Sequence, residues 1–120
     1  MLADRLMAAT SRALSESGDE VATDVIELRD IAQDMTNNMV SGFQSEALRS
    51  ATEQAAKADG LIVVSPIFSA SYSGLFKMFF DVIEPDSIAG GPVLIAATAG
   101  TPRHSLALEH AMRPLFSYLR

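Results

Sequence analysis

The chain has 120 residues, 48% hydrophobic and 20% charged, the proportions of one soluble globular domain with a single core. Nine basic against fifteen acidic side chains leave a formal charge of -6, which argues against nucleic acid or an anionic membrane surface as a partner. With no cysteine, a disulfide framework, a thiol nucleophile and cysteine-ligated zinc are all excluded, and His104 and His110 are too few for a histidine-rich metal site; a cytoplasmic address fits this composition.

Leu2, Leu6, Ala9, Ala13 and Leu14 recur at helical spacing and Gly18 stands where a helix would stop, which predicts an amphipathic helix from Leu2. The opening residues Met1 to Arg5 show no basic segment followed by an apolar run, so no signal peptide is visible. Val21 to Leu28 mixes Val21, Thr23, Val25 and Ile26 with Asp24 and Glu27, a pattern suited to an edge strand. Arg29 to Gln44 is polar, with Met35, Met39 and Phe43 interspersed, and reads as a loop with room for a helical turn.

Ser45 can cap a helix running to about Ala58, with Glu46 in its first turn and Lys57 in its last. After the Asp59-Gly60 turn, Leu61 to Val64 is wholly apolar, as expected of a central strand buried on both faces of a parallel sheet. Ser65-Pro66 should end it, because proline cannot donate to a ladder. From Ser73 to Glu84, Leu75, Met78, Phe79, Val82 and Ile83 form a core-facing stripe. Beside it runs a second stripe of Tyr72, Phe76 and Phe80, so either this helix is deeply buried or its outer face meets another subunit.

Gly90-Gly91-Pro92 introduces the apolar strand Val93 to Thr98, followed by the small-residue loop Ala99-Gly100-Thr101. Thr101 and Pro102 read as the N-cap and first position of a last helix, continued by Leu108, Ala111, Met112, Leu115, Phe116 and Leu119, with a kink or break expected at Pro114. Gly60 to Phe76 and Ser87 to Pro102 carry no charge, but prolines, glycines and serines break both, so they read as strands running into loops rather than membrane spans. Alternation of helix and strand over residues 1–120, taken as one domain, predicts an α/β doubly wound parallel sheet of three strands and four helices.

Ligands of such sheets lie beyond the carboxyl ends of the strands, so the loops after Val64 and Thr98 are the first places to look. The loop from Ser65 to Gly74 holds small residues and the aromatic pair Phe68 and Tyr72, with no acid and no metal ligand. The loop from Thr98 to His104 lets backbone N–H groups come close to a ligand and ends at a helix start, which favours an electron-rich or anionic group. Either the two loops hold a flat, polar-edged aromatic ligand by main-chain hydrogen bonds, or they are simply tight turns.

Three segments carry a family resemblance: Ala58-Asp59-Gly60-Leu61-Ile62-Val63-Val64-Ser65-Pro66-Ile67-Phe68, then Ser71-Tyr72-Ser73-Gly74-Leu75-Phe76-Lys77 with Phe80-Asp81, then Ala97-Thr98-Ala99-Gly100-Thr101 followed by His104. They resemble the flavodoxin-like NAD(P)H-dependent FMN reductases, above all those that supply reduced flavin to partner monooxygenases. The likeness extends over nearly the whole chain and is faintest from Arg29 to Gln44. It implies a flavodoxin-like fold with FMN and NAD(P)H as cofactors. Pro66, Ile67 and Phe68 would line one edge of the isoalloxazine, with Ser71 in the same set, and Thr98, Ala99, Gly100 and Thr101 would line the other. His104, with Arg103, either reaches the flavin or a nucleotide phosphate or is an exposed basic pair at a helix start. Many relatives carry Tyr in place of Phe68 and Gly in place of Ala99, so a hydroxyl is lost and a methyl gained near the ring.

The implied reaction passes a hydride from nicotinamide to flavin N5; the cofactors carry the chemistry, and no catalytic acid, base or metal of the protein is needed. Relatives of this type form dimers or tetramers, expected here through Tyr72, Phe76 and Phe80. The resemblance also places a first strand and phosphate-binding loop before Leu2 and a last strand and helix after Arg120, so the 120 residues are expected to be an incomplete flavodoxin-like sheet. Two other readings share the sequence: an electron carrier that does not react with NAD(P)H, and a non-catalytic oligomerisation module without flavin. A phospho-receiver is excluded, because Asp59 precedes the apolar strand instead of following it.

Overall fold

A computed structural model describes residues 2–100 and 107–119, with all their side chains except those of Pro85 and Glu109. Three strands form one sheet in the order β2-β1-β3: β1 is Leu61–Phe68, β2 Ser71–Tyr72 and β3 Val93–Thr98. β1 and β3 run parallel, from Leu61 opposite Val93 to Pro66 opposite Thr98, and β2 folds back antiparallel on the end of β1. Helix α4 (Gly74–Val82) makes the crossover between the parallel strands, so the α/β parallel arrangement expected from the alternation holds.

β1 extends further than its apolar run, passing through Pro66 to Phe68. Proline is tolerated there because β2 pairs only with Ile67 and Phe68, so Pro66 is paired to a strand on one side alone. Burial alternates along β1, with Val63, Ser65 and Ile67 buried and Pro66 and Phe68 exposed. The core meets the sheet on the Val63 and Ile67 face, while Leu94 of β3 remains 47% exposed, so burial on both faces, expected from the unbroken apolar runs, is not found. Helix α1 (Leu2–Glu16) lies against β1 but buries none of its residues fully and stays outside the core.

Two expectations for the first half are corrected. Val21 to Leu28 is not a strand: no regular structure forms before the 3-10 turn Leu28–Ile31, and Ile26 and Leu28 pack on the core instead. A strand needs a ladder partner, and none of the described strands lies beside this segment. The polar stretch that follows is not a loop but helix α2 (Ala32–Ser41). Met35 is its buried anchor, with buried Ile31 at its N-cap one turn before, and Gly42 at φ +77° closes it by donating its N–H to the Asn38 carbonyl at 2.8 Å. Helix α3 (Glu46–Lys57) is as expected: the Ser45 hydroxyl accepts the Leu48 N–H at 3.2 Å, and Leu48, Ala51, Thr52 and Ala55 make one buried stripe.

On α4 the core takes residues from both expected stripes. Phe76, Phe79, Phe80 and Ile83 are buried, while Leu75, Met78 and Val82 only flank the core. Phe116 of helix α5 (Arg113–Leu119) packs on Phe76 and Phe80 with ring centroids 6.0 and 4.9 Å away. Phe76 and Phe80 are thus 3% and 6% exposed within one chain, covered by α5, and of the stripe expected at a subunit contact Tyr72 is the member left half-buried. A π turn, Leu108–Met112, precedes α5, with the Arg113 N–H donating to the Leu108 carbonyl. Pro114 has no N–H for the His110 carbonyl, and the wider turn before it is the form taken by the expected break. No helix among the described residues is long and apolar enough to cross a membrane.

Candidate functional site at the carboxyl end of the sheet

Because β1 and β3 are parallel, their carboxyl ends lie at the same end of the sheet, and Pro66 stands directly opposite Thr98. The two loops read as a site are therefore neighbours. Register partners share a face, and residues two apart on a strand share it too, so Pro66, Phe68 and Thr98 form one exposed ledge. Phe68 is 61% exposed. Ile67 points the other way into the core at 6% exposure, so it can offer a ligand only its main chain. Ala99 and Gly100 follow Thr98 and are exposed, and among the described residues a Cβ on Gly100 would meet nothing within 4 Å. Thr101, Arg103 and His104 lie outside the described residues.

Ser71 is half-buried and pairs with Phe68 across a hairpin that sequence reasoning took for an irregular loop. Its two turn residues, Ser69 and Ala70, have φ of 49° and 65°, the both-positive pattern of a type I′ turn. Such turns are normally announced by Asn-Gly or Asp-Gly, which is why the hairpin was not legible. Non-glycine residues held at positive φ each cost on the order of 1 kcal/mol and persist where the surroundings fix them, most often at functional sites.

Sequence reasoning also passed over Ser65, which is wholly buried. Its hydroxyl donates to the Pro66 carbonyl at 2.8 Å and accepts the Ser73 N–H at 2.9 Å, while the Ser73 hydroxyl caps α4 by accepting the Phe76 N–H at 3.1 Å. The signal was a single polar residue within Leu61 to Phe68.

No charged side chain occurs from Gly60 to Phe76 or from Ser87 to Pro102. Lys77, just beyond, is engaged by Asp81: the hydrogen bond to that carboxylate raises the lysine pKa, partial burial opposes the rise, and the charges of Asp81 and Tyr72 add to it. Among the described residues no three His, Asp or Glu side chains are grouped to hold a metal. A shallow cleft among Ala55, Gly60, Leu61, Ile88, Pro92 and Val93 lies where the strands begin, at the opposite end of the sheet from the ledge. The ledge thus offers apolar contact and main-chain groups in an uncharged setting, which suits a flat ring with polar edges.

Residues 2–120 match the family model described as NADPH-dependent FMN reductase. An FMN reductase (NADPH) of Pseudomonas aeruginosa is 38% identical over 97% of this chain and 63% of its own length. The NADH-dependent FMN reductase SfnE of Pseudomonas putida is 37% identical over the same shares, 97% and 63%. Among solved structures, an oxidoreductase from Corynebacterium diphtheriae is similar at a TM-score of 0.95 and 43% identity, over 99% of this chain and 65% of its own. The chain therefore spans just under two thirds of the length of these relatives. From the match over residues 2–120, with the flavodoxin-like fold to accompany it, the chain belongs to the NADPH-dependent FMN reductase family.

Proposed function

We propose that the complete protein reduces FMN with NAD(P)H and seats the flavin ring on the ledge of Pro66, Phe68 and Thr98. The observation that carries this reading is the register of Pro66 against Thr98, which joins the two loops into one exposed, uncharged surface at the end of the sheet where α/β folds bind ligands. The names of the relatives support it, two of them being FMN reductases that differ in their nicotinamide.

When bound, a flavin supplies the hydride acceptor. The chain's own part is to hold and orient. Pro66 and Phe68 offer apolar area to one side of a ring, while the main chain from Thr98 to Gly100 offers polar groups to its edge. Ile67 contributes backbone only, and Ser71 steadies the hairpin opposite Phe68. The ring fits these residues. For a phosphate, the described parts of the two loops offer no cation, and Arg103 and His104, which follow Thr98, lie outside the described residues. On this reading the reduced flavin is a product passed to a partner monooxygenase, and the cysteine-free chain agrees with a cytoplasmic address.

Steady-state oxidation of NADPH and of NADH in the presence of free FMN tests the proposal. Turnover with either supports it. Flavin binding without nicotinamide oxidation would make the protein an electron carrier, and failure of both would leave an interaction module.

A further inference from the structure

We infer that Ser65 is a positioning residue for the proposed ring site, holding the Pro66–Tyr72 hairpin in its binding shape; this rests on the FMN reading given above. Ser65 occupies a core-facing position of β1 between Val63 and Ile67, where the strand would otherwise be apolar. A buried hydroxyl there is costly unless satisfied, and this one is satisfied twice, by partners at the two ends of the hairpin. Its acceptance of the Ser73 N–H fixes where the chain enters α4, and its donation to the Pro66 carbonyl holds the last residues of β1 before the hairpin. Ser73 passes the constraint on, since its own hydroxyl caps the helix.

Between these two ends lie Pro66, Phe68 and Ser71, together with Ser69 and Ala70 at positive φ. A two-residue turn strained in this way keeps its form only if its ends are held. The β2 ladder holds them over two residue pairs, and the Ser65 hydroxyl adds a tie from the buried side. Removing the hydroxyl leaves the Ser73 N–H without its acceptor and lets the hairpin relax, so Phe68 loses its place beside Thr98.

The test uses two variants of nearly equal volume in the protein with its complete chain, Ser65→Thr and Ser65→Val. Both crowd the buried position alike, and only the first retains the hydroxyl. We expect Ser65→Val to bind FMN about tenfold more weakly than Ser65→Thr, with loss of the visible-band shift of the bound ring. We also expect faster amide exchange at residues 67–73 in Ser65→Val without flavin, relative to α3 in the same molecule. Equal flavin affinity and equal exchange in the two variants would overturn the inference. Faster exchange in Ser65→Val, in a protein that binds no flavin in any form, would sustain the hairpin tie and sink the FMN reading instead. Slower NADPH oxidation with unchanged exchange would show that Ser65 does not act through the hairpin, and would also overturn it.

Discussion

Phe80 of α4 and Phe116 of α5 meet edge to face, with ring centroids 4.9 Å apart and planes at 84°. Phe76 joins them at 5.1 Å from Phe80, so the last helix is docked through aromatic contacts on the helix that links β1 to β3. Replacing either ring by alanine empties a buried volume, and Phe80→Ala is expected to destabilise by about 3–5 kcal/mol. In a double-mutant cycle with Phe116→Ala, urea denaturation should give a coupling of roughly 0.5–1.5 kcal/mol. Strict additivity would mean that the two rings do not support one another.

The proposed ring site on Pro66, Phe68 and Thr98 lies within the stretches Gly60 to Phe76 and Ser87 to Pro102, which carry no charge. Residues 1–120 alone should therefore bind FMN weakly and hardly distinguish it from riboflavin. A chain extended at both ends should prefer FMN by orders of magnitude, because each charge-assisted hydrogen bond to a phosphate contributes roughly 1.5–3 kcal/mol. Fluorescence titration of both flavins against both chains is the measurement, and a strong FMN preference in the 120-residue chain would place a phosphate site within it.

Ala70 sits at φ 65°, whereas Ala55 is a buried residue of α3. Glycine relieves about 1–2 kcal/mol of strain at a left-handed position and loses roughly 0.5–1 kcal/mol of backbone entropy. Ala70→Gly should then be neutral or stabilising by up to about 1 kcal/mol, and Ala55→Gly should cost about 1 kcal/mol or more. Thermal melts of the two variants compare them directly; a clear loss of stability for Ala70→Gly would show that the turn is not strained.

Lys77 and Asp81 form an ion pair on the exposed side of α4, with their side chains 44% and 38% exposed. The lysine stands N-terminal to the acid, the weaker order for such a pair, and exposure screens it, so about 0.3 kcal/mol is all that is expected. The Lys77 pKa is raised in the folded chain, so this contribution is complete below the unfolded lysine value and is lost as pH rises through the folded one. Asp81→Asn should lower the Lys77 pKa in an NMR titration and leave stability near neutral pH almost unchanged. An unmoved Lys77 titration would show that the pair does not persist in solution.

Local chemistry was enough for several features. Ser45 caps α3 because a serine hydroxyl can satisfy a free helix N–H from within its own segment. The parallel pairing of the two apolar runs followed from their alternation with helices, and with it the placing of Pro66 beside Thr98. The family likeness was carried by short motifs at those same strand ends. What depends on distant segments was not legible. Val21 to Leu28 has a strand-like composition, but a strand exists only with a partner beside it. Met35 lies in a polar stretch, yet the core draws it in and makes a helix of Ala32–Ser41. On α4 two apolar stripes lie side by side, and periodicity could not say which one Phe116 would cover. The twofold use of the Ser65 hydroxyl was equally hidden, since one partner lies next to it in the chain and the other only after the hairpin has turned. Sequence by itself determined that two apolar runs pair in parallel and that the loops after them share one end of the sheet; tertiary packing decided which faces were covered, because burial is settled by partners far along the chain.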